Sequence, residues 1–155
     1  MKYKDGFKCD KDSKELVKHL ITEVWFSSCT VEFDEDNDTD EYADIDILFT
    51  AYTRTGKSYS KGIEIKERKG YTSTYFDDWV LEDDKYKKML GCKNECFYLN
   101  IFRDNTYALW DIRAIKDSDT GSIFAAKRTQ EESNRINKKC HLLRIDDAIL
   151  TGRTI

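Results

Sequence analysis

Hydrophobic residues near the start of the chain recur at the spacing of an amphipathic helix. From Ser13 onward they return every three to four positions, and Asp12 or Ser13 is a suitable N-cap. This spacing places all of them on one face, which we expect to pack on a core. The residues of this apolar face are Leu16, Val17, Leu20, Ile21, Val24 and Trp25.

The rest of the chain predicts strands and one more helix. Runs rich in β-branched and aromatic residues between Gly, Asn and Asp are typical of strands, and helical spacing returns once before Gly91. The predicted elements are a strand at 29–33, a hairpin of 44–53 and 58–68, a helix at 77–90, a hairpin of 96–102 and 106–112, and a strand at 141–145. This order predicts an α/β fold, a mixed β-sheet flanked by helices, in one domain that spans residues 1–155.

The first hairpin is expected to bring acidic side chains together. A turn centred on Thr55 pairs residues whose numbers add to 110, so Asp46 lies opposite Glu64, and Asp44 lies opposite Lys66. Opposed carboxylates repel each other unless a cation or a shifted pKa compensates. Mg²⁺ or Mn²⁺ accepts one or two carboxylates together with water and substrate phosphate. We therefore expect a metal at Asp46 and Glu64, with Lys66 beside it to activate water or to stabilise phosphate charge.

Composition narrows the class of protein. Hydrophobic residues make up 39% of the 155 residues, which suffices for a globular core, and no run reaches the ~20 apolar residues of a membrane span. The first fifteen residues lack the apolar core of a signal peptide. These features predict a cytoplasmic protein without a membrane partner.

Charge is distributed unevenly along the chain. The net charge is −4, yet residues 32–46 hold nine acids and no bases. The rest of the chain has 26 bases and 21 acids and therefore a net charge of +5. A basic surface that could bind nucleic acid is therefore compatible with the acidic total. We expect the acidic segment 34–41 to be a mobile, solvated loop that repels phosphate and directs DNA towards the basic residues after the first hairpin.

The cysteines are five in number, which is an odd count for a disulfide framework. We expect Cys9, Cys29, Cys92, Cys96 and Cys140 to be reduced thiols that fill apolar space. The spacing of Cys92 and Cys96 also permits a zinc site, which would need two more ligands.

The acidic pair belongs to a recognisable motif. Asp46, then seventeen intervening residues, then Glu64-Ile65-Lys66 on a strand, with a helix before and a helix and strands after, resembles the PD-(D/E)XK nuclease superfamily. The likeness covers roughly residues 13–112 and is strongest to compact Holliday-junction-resolvase-like and phage-type members. It implies a restriction-endonuclease-like fold. It also implies that Asp46, Glu64 and the main-chain oxygen of Ile65 bind Mg²⁺ or Mn²⁺, while Lys66 assists the water. No proline precedes the aspartate, which leaves Asp44 as a competitor of Asp46.

The resemblance suggests further site residues on the two helices. A glutamate of the first helix often completes the site in this family. Glu23 lies near the edge of the apolar face and Glu15 on the polar side, so Glu23 is preferred. Family members often carry a polar residue on the second helix, where Lys85 and Glu82 could reach a phosphate or a water.

The segment after the Glu64-Ile65-Lys66 strand is a candidate for contacts with DNA. Arg68 and Lys69 could bind the backbone, and Tyr71 or Tyr75 could stack on a base.

Two functions fit these observations. The first is a Mg²⁺-dependent deoxyribonuclease, a hydrolase of DNA phosphodiester bonds in phage or mobile-element recombination, repair or defence, and the Asp46, Glu64 and Lys66 set favours it. A homodimer would suit a duplex or junction cutter. The alternative is a catalytically silent nuclease-fold protein that binds nucleic acid or inhibits a partner, and the acidic net charge favours it. Motifs for nucleotide cofactors or a nucleophile elbow are absent.

Overall fold

The computed structural model describes residues 11–40, 43–115, 120–126 and 135–154. Within these ranges the chain forms two β-sheets with helices packed on them. The elements are α1 Lys11–Leu20, a π-helical turn Ile21–Trp25, β1 Thr30–Phe33, α2 Glu35–Thr39, β2 Ile47–Tyr52, β3 Ser58–Arg68, β4 Trp79–Glu82, α3 Asp83–Leu90, β5 Glu95–Phe102, β6 Thr106–Asp111, a 3₁₀ turn Ile112–Ala114, β7 Thr120–Ala126, β8 Arg135–Leu143, a 3₁₀ turn Ile145–Asp147, and β9 Leu150–Arg153.

A six-stranded mixed sheet forms the centre, with the strand order β1-β2-β3-β5-β6-β9. Strands β3 and β5 run parallel, and the other neighbours in this sheet are antiparallel. A second, antiparallel sheet has the order β4-β8-β7. The predicted α/β class, a mixed sheet flanked by helices, is confirmed.

The register of the first hairpin agrees with the prediction. Ile47 pairs with Ile63 and all further partners have numbers that add to 110. Strand β2 begins later than predicted, so the predicted pair of Asp44 and Lys66 does not form. Asp44 is exposed instead, and its carboxylate lies 3.5 Å from the ammonium group of Lys88.

The connection between β3 and β5 covers one face of the central sheet. Parallel neighbours need a crossover, and residues 69–94 provide it through β4 and α3. The predicted helix at 77–90 is therefore wrong in its first half. Trp79 and Leu81 are buried while Val80 and Glu82 are less so, which is the period of two of a strand. The helical part ends before Gly91, as predicted.

The acidic segment is more ordered than predicted, because it contains helix α2. The side-chain N–H of Asn37 donates a hydrogen bond to the carbonyl of Ile45 at 2.9 Å. Asp38 forms an ion pair with Lys18 of α1, and its side chain is only 11% exposed. The prediction of a mobile loop is thus wrong for these residues, while Glu41 lies outside the described ones.

Helix α1 departs from the prediction at both ends. It includes Asp12 and Ser13 within its first turn, so neither is its N-cap. At Ile21 the helix widens into the π-helical turn, which shifts the following side chains around the axis. Val24 is consequently 55% exposed instead of buried.

Two hydrophobic clusters lie on opposite faces of the central sheet. Ile63 and Ile65 of β3 belong to the cluster on the α1 side, which also contains Val17. The cluster on the other side includes Trp79 of β4 and Met89 of α3. Both faces of β3 are therefore covered, and a polar side chain between α3 and the sheet is removed from water.

The second hairpin forms as predicted, with Asn105 at a positive φ of 63° in its turn. Residues 141–143 of the strand predicted at 141–145 form the end of the longer β8, whereas Ile145 begins a 3₁₀ turn. Cys96 and Cys140 are buried and Cys29 and Cys92 half-buried, all as free thiols, while Cys9 lies outside the described residues. In the described part of the chain, no helix has the length and hydropathy to cross a bilayer.

Candidate active site

Glu64 is a buried carboxylate on the central strand, and the residue is only 5% exposed. Side chains alternate along β3, and the odd-numbered Ile63 and Ile65 face α1. Glu64 therefore points to the face that α3 covers. A carboxylate in such a position needs a charged or polar partner.

Asp46 supplies one neighbour of Glu64. It lies in the bend immediately before β2, where the backbone ladder with β3 has ended. The Ile65 N–H donates to a carboxylate oxygen of Asp46 at 2.8 Å, and the Asp46 N–H donates to Glu64 at 3.3 Å. The structure thus brings Asp46 and Glu64 together, although Asp46 lies one residue outside the paired part of the hairpin.

Lys85 of α3 is the second neighbour. Its ammonium group forms an ion pair with the Glu64 carboxylate. Burial, reinforced by the negative charge of Asp46, raises the pKa of Glu64 to about 8, although Lys85 opposes the shift. Burial alone would lower the pKa of Lys85, but the charge of Glu64 outweighs it and the pKa is raised. When no other cation is bound, Glu64 is therefore either protonated or paired with Lys85.

Lys66 lies two residues further along β3, on the same face as Glu64, and its side chain is exposed. Partial loss of water around its ammonium group, together with the positive charge of Arg68, lowers its pKa. The charge of Glu82 acts in the opposite direction. A lysine with a lowered pKa beside two carboxylates can exchange a proton with a water or stabilise an anion.

Arg68 is occupied by acceptors of the protein itself. Its Nε donates to the side-chain oxygen of Asn100 at 2.6 Å, and its Nη2 donates to the Val80 carbonyl at 2.9 Å. The guanidinium also lies over the Trp79 ring, 5.3 Å from its centre. Arg68 thereby ties β3 to β4, instead of presenting its donors to solvent as a predicted DNA contact would.

The remaining predicted residues lie apart from the acidic pair. Lys69 is exposed, and its ammonium group is 3.3 Å from Glu67. Glu23 is exposed on the π-helical turn, and that layer packs on the opposite face of the sheet from Glu64. Glu15 is also exposed on α1, where it lies 3.7 Å from Lys18.

Three buried groups near the site had no signal in the sequence. Asn100, on β5 beside Lys66, is fully buried. His141 of β8 is buried, with its Nε2 atom 2.7 Å from Asp83 at the start of α3. These contacts depend on which strands become neighbours, and the residue spacing alone does not contain that information.

The oxygen atoms at the site suit a hard divalent cation. Among the described residues no group of three or more His, Cys, Asp or Glu side chains could hold a metal, so the zinc alternative has no cluster there. Asp46 and Glu64 provide two carboxylates. The N–H and C=O of a strand residue point to the same side, so the Ile65 carbonyl is directed to the edge where Asp46 lies. Two carboxylates and a carbonyl fit Mg²⁺ or Mn²⁺ with its remaining waters.

Comparison with known proteins gives a loose structural likeness. The sequence matches no protein-family model and no curated protein. The structure is similar to that of Hjc, a Holliday junction resolvase from Archaeoglobus fulgidus, with a TM-score of 0.40 and 12% identity over 84% of each chain. We therefore infer the function from the side chains of the site.

Proposed function

We propose that the protein is a Mg²⁺- or Mn²⁺-dependent nuclease that hydrolyses phosphodiester bonds of DNA. The observation that carries this proposal is the buried carboxylate of Glu64, in contact with Asp46 and with Lys85 of α3, on a face of the sheet that also bears Lys66. Two neighbouring acids, only partly compensated by a lysine, and a second lysine on the same face are the groups that metal-assisted phosphate hydrolysis uses.

The metal would be held by Asp46, Glu64 and the carbonyl of Ile65. When bound, a divalent cation lowers the pKa of a coordinated water and neutralises charge on a phosphate oxygen. The bend before β2 sets the position of Asp46, because Ile65 donates to its carboxylate and Asn37 holds the adjacent Ile45. The chain thus provides a preformed pair of oxygen ligands.

The two lysines have different surroundings and therefore different roles. Lys66 is exposed and has a lowered pKa, so it can accept a proton from the attacking water or hydrogen-bond to the phosphate. Lys85 has a raised pKa and stays protonated. With a cation bound at Glu64, the charge of Lys85 would be available to a phosphate oxygen.

A second candidate is a nuclease-fold protein without catalysis, which would bind nucleic acid or inhibit a partner. The ion pair between Lys85 and Glu64 favours it, since a lysine already compensates the buried carboxylate without a metal. The protein's net charge of −4 also favours this second candidate. The lowered pKa of Lys66 favours catalysis, because lysines with perturbed pKa values are concentrated at catalytic sites.

A cleavage assay tests the proposal. Single-stranded, duplex, flapped and four-way DNA would be incubated with the protein in Mg²⁺ or Mn²⁺, and in EDTA. We expect metal-dependent cleavage of at least one substrate by the wild type and loss of cleavage in Asp46→Asn. Asp44→Asn is the matched control, because Asp44 is exposed and pairs with Lys88 instead.

Two results would contradict the proposal. Cleavage that survives Asp46→Asn and is lost in Asp44→Asn would place the site elsewhere. Binding of DNA without cleavage of any substrate in either metal would favour the silent protein.

A further inference from the structure

The loop after β3 exposes three aromatic side chains together. Tyr71, Tyr75 and Phe76 are 38%, 64% and 45% exposed, and we call them the aromatic cluster. Their ring centres lie 4.8 to 5.0 Å from one another. Large apolar side chains that are exposed as a group often mark an interaction surface.

Contacts with a buried ring and with the backbone hold the aromatic cluster in place. The Phe76 ring contacts buried Trp79 at 5.4 Å between centres, and the Trp79 indole N–H donates to the Ser73 carbonyl at 3.3 Å. The Arg103 N–H donates to the Tyr71 carbonyl at 2.9 Å. A fixed set of rings loses little conformational entropy when a flat ligand stacks on it.

The cluster follows the candidate active site along the chain and is linked to the same strand by ring contacts. Arg68, the last residue of β3, lies over Trp79, which in turn contacts the cluster. Arg68 lies four positions after Glu64 on the strand, about 13 Å at the usual rise. We infer that a nucleic-acid strand with a phosphate at Glu64 extends along β3, past Arg68, towards the aromatic cluster.

The charges around the cluster indicate which part of a nucleic acid meets it. Asp77 and Asp78, which follow it directly, are exposed and disfavour a phosphate backbone laid across the rings. Lys69 is exposed directly after β3, where the loop begins. Arg103 is also exposed, and its N–H contacts the Tyr71 carbonyl. These charges favour an arrangement in which the bases of the nucleic acid face the rings and its phosphates face the cations.

We propose that the aromatic cluster stacks on unpaired bases of DNA bound at the candidate site, which makes single-stranded or branched DNA the substrate class. This inference rests on the proposed function. Base pairs inside a duplex present only their edges, whereas unpaired bases offer faces that aromatic rings can cover. Stacking of this kind depends little on the base sequence.

The test is DNA binding in EDTA, where cleavage cannot interfere. Fluorescence anisotropy would measure the affinities of the wild type, Tyr75→Ala, Tyr75→Trp and Tyr52→Ala for a labelled single strand and for the matching duplex. Tyr52→Ala is the control, because Tyr52 is 39% exposed on β2, outside the cluster. We expect Tyr75→Ala to weaken single-strand binding about 5- to 150-fold, with duplex binding unchanged. Tyr75→Trp should retain single-strand affinity, and Tyr52→Ala should match the wild type.

The outcomes separate this inference from the proposed function. Equal single-strand affinities for Tyr75→Ala and Tyr52→Ala would overturn it, as would an equal loss on single strand and duplex. A wild type that binds neither DNA would also overturn it and would suggest a protein partner for the aromatic cluster. A wild type that binds single strands through Tyr75 but cleaves nothing in Mg²⁺ or Mn²⁺ would overturn the nuclease proposal alone.

Discussion

At the scale of single residues, a buried carboxylate beside a second one holds its proton more tightly than it does in water. Glu64 beside Asp46 is such a case, and its pKa is raised to about 8 by burial and by the neighbouring charge. Lys85 compensates part of this charge. The acidic pair is therefore costly to keep ionised unless a cation is bound, which is the property expected of a metal site.

The raised pKa of Glu64 predicts how metal binding depends on pH. Below about pH 8 a cation has to displace the proton of Glu64, so the affinity for Mn²⁺ should rise with pH from about 6 to 8 and then level off. One displaced proton gives at most about a tenfold change per pH unit. Calorimetry in buffers of different ionisation enthalpy would measure both the affinity and the released proton.

Glu64→Gln should abolish this Mn²⁺ binding, whereas Glu15→Gln, at an exposed position of α1, should not change it. An affinity that stays constant between pH 6 and 9 without proton release would show that Glu64 is not a ligand.

Lys66 is predicted to act in the reaction and not in the fold, because its side chain is exposed. We expect Lys66→Ala to lower the rate of DNA cleavage about 100- to 10,000-fold, the usual contribution of a general acid or base. Thermal unfolding and Mn²⁺ calorimetry should give nearly wild-type values. Unchanged cleavage in this variant would exclude Lys66 from the mechanism.

At the scale of elements, side chains of the neighbouring strands pack closely against the backbone of β3 at Gly62, two residues before Glu64. A Cβ atom at Gly62 would lie 2.8 Å from the Cys96 sulfur and 3.0 Å from the Leu48 Cδ2 atom. We expect Gly62→Ala to lower the free energy of unfolding by about 1–3 kcal/mol, as overpacked cores do. Urea unfolding would measure this loss.

A second substitution tests the cause of that loss. Cys96→Ala removes the closest atom, so Gly62→Ala with Cys96→Ala should lose less stability than the sum of the single variants. Full additivity would mean that the contact with Cys96 does not explain the effect.

The elements differ in how far local sequence could predict them. The hairpin register followed from its turn and alternation, because both act between residues that are close in the chain. Strand β4 was predicted as helix, since its alternation is only four residues long and its pairing partner β8 is about sixty residues away. The π-helical turn at Ile21 has no marker in the apolar spacing, and it exposed Val24.

The site shows the same division between local and distant contacts. Asp46 and Glu64 meet through the hairpin, so their juxtaposition could be predicted. The ion pair of Lys85 with Glu64 depends on the crossover that places α3 over β3. The hydrogen bond from Arg68 to Asn100 depends on the parallel pairing of β3 with β5. No spacing within a short stretch specifies those neighbours.

At the scale of the whole molecule, helix α2 places negative charge next to the site, because Asn37 of α2 contacts Ile45. Neutralising the exposed Glu35 and Asp36 should strengthen DNA binding. The gain should be larger at 0.01 M than at 0.1 M salt, where the screening lengths are about 30 Å and 10 Å. Asp38 is left intact, since its ion pair with Lys18 fixes α2 to α1.

Binding curves at the two salt concentrations would measure the effect. Equal affinities of the Glu35→Gln/Asp36→Asn variant and the wild type at both concentrations would show that α2 does not steer DNA.

The most direct test of the central claim is the anomalous scattering of manganese in a crystal of the protein. We expect a peak in contact with the carboxylates of Asp46 and Glu64 and with the carbonyl of Ile65, and no such peak in Glu64→Gln. Lys85 should then have left Glu64, because the metal takes over its charge. A wild-type map with no peak at Asp46 and Glu64, or with a peak only at Asp44 or on α2, would contradict the account.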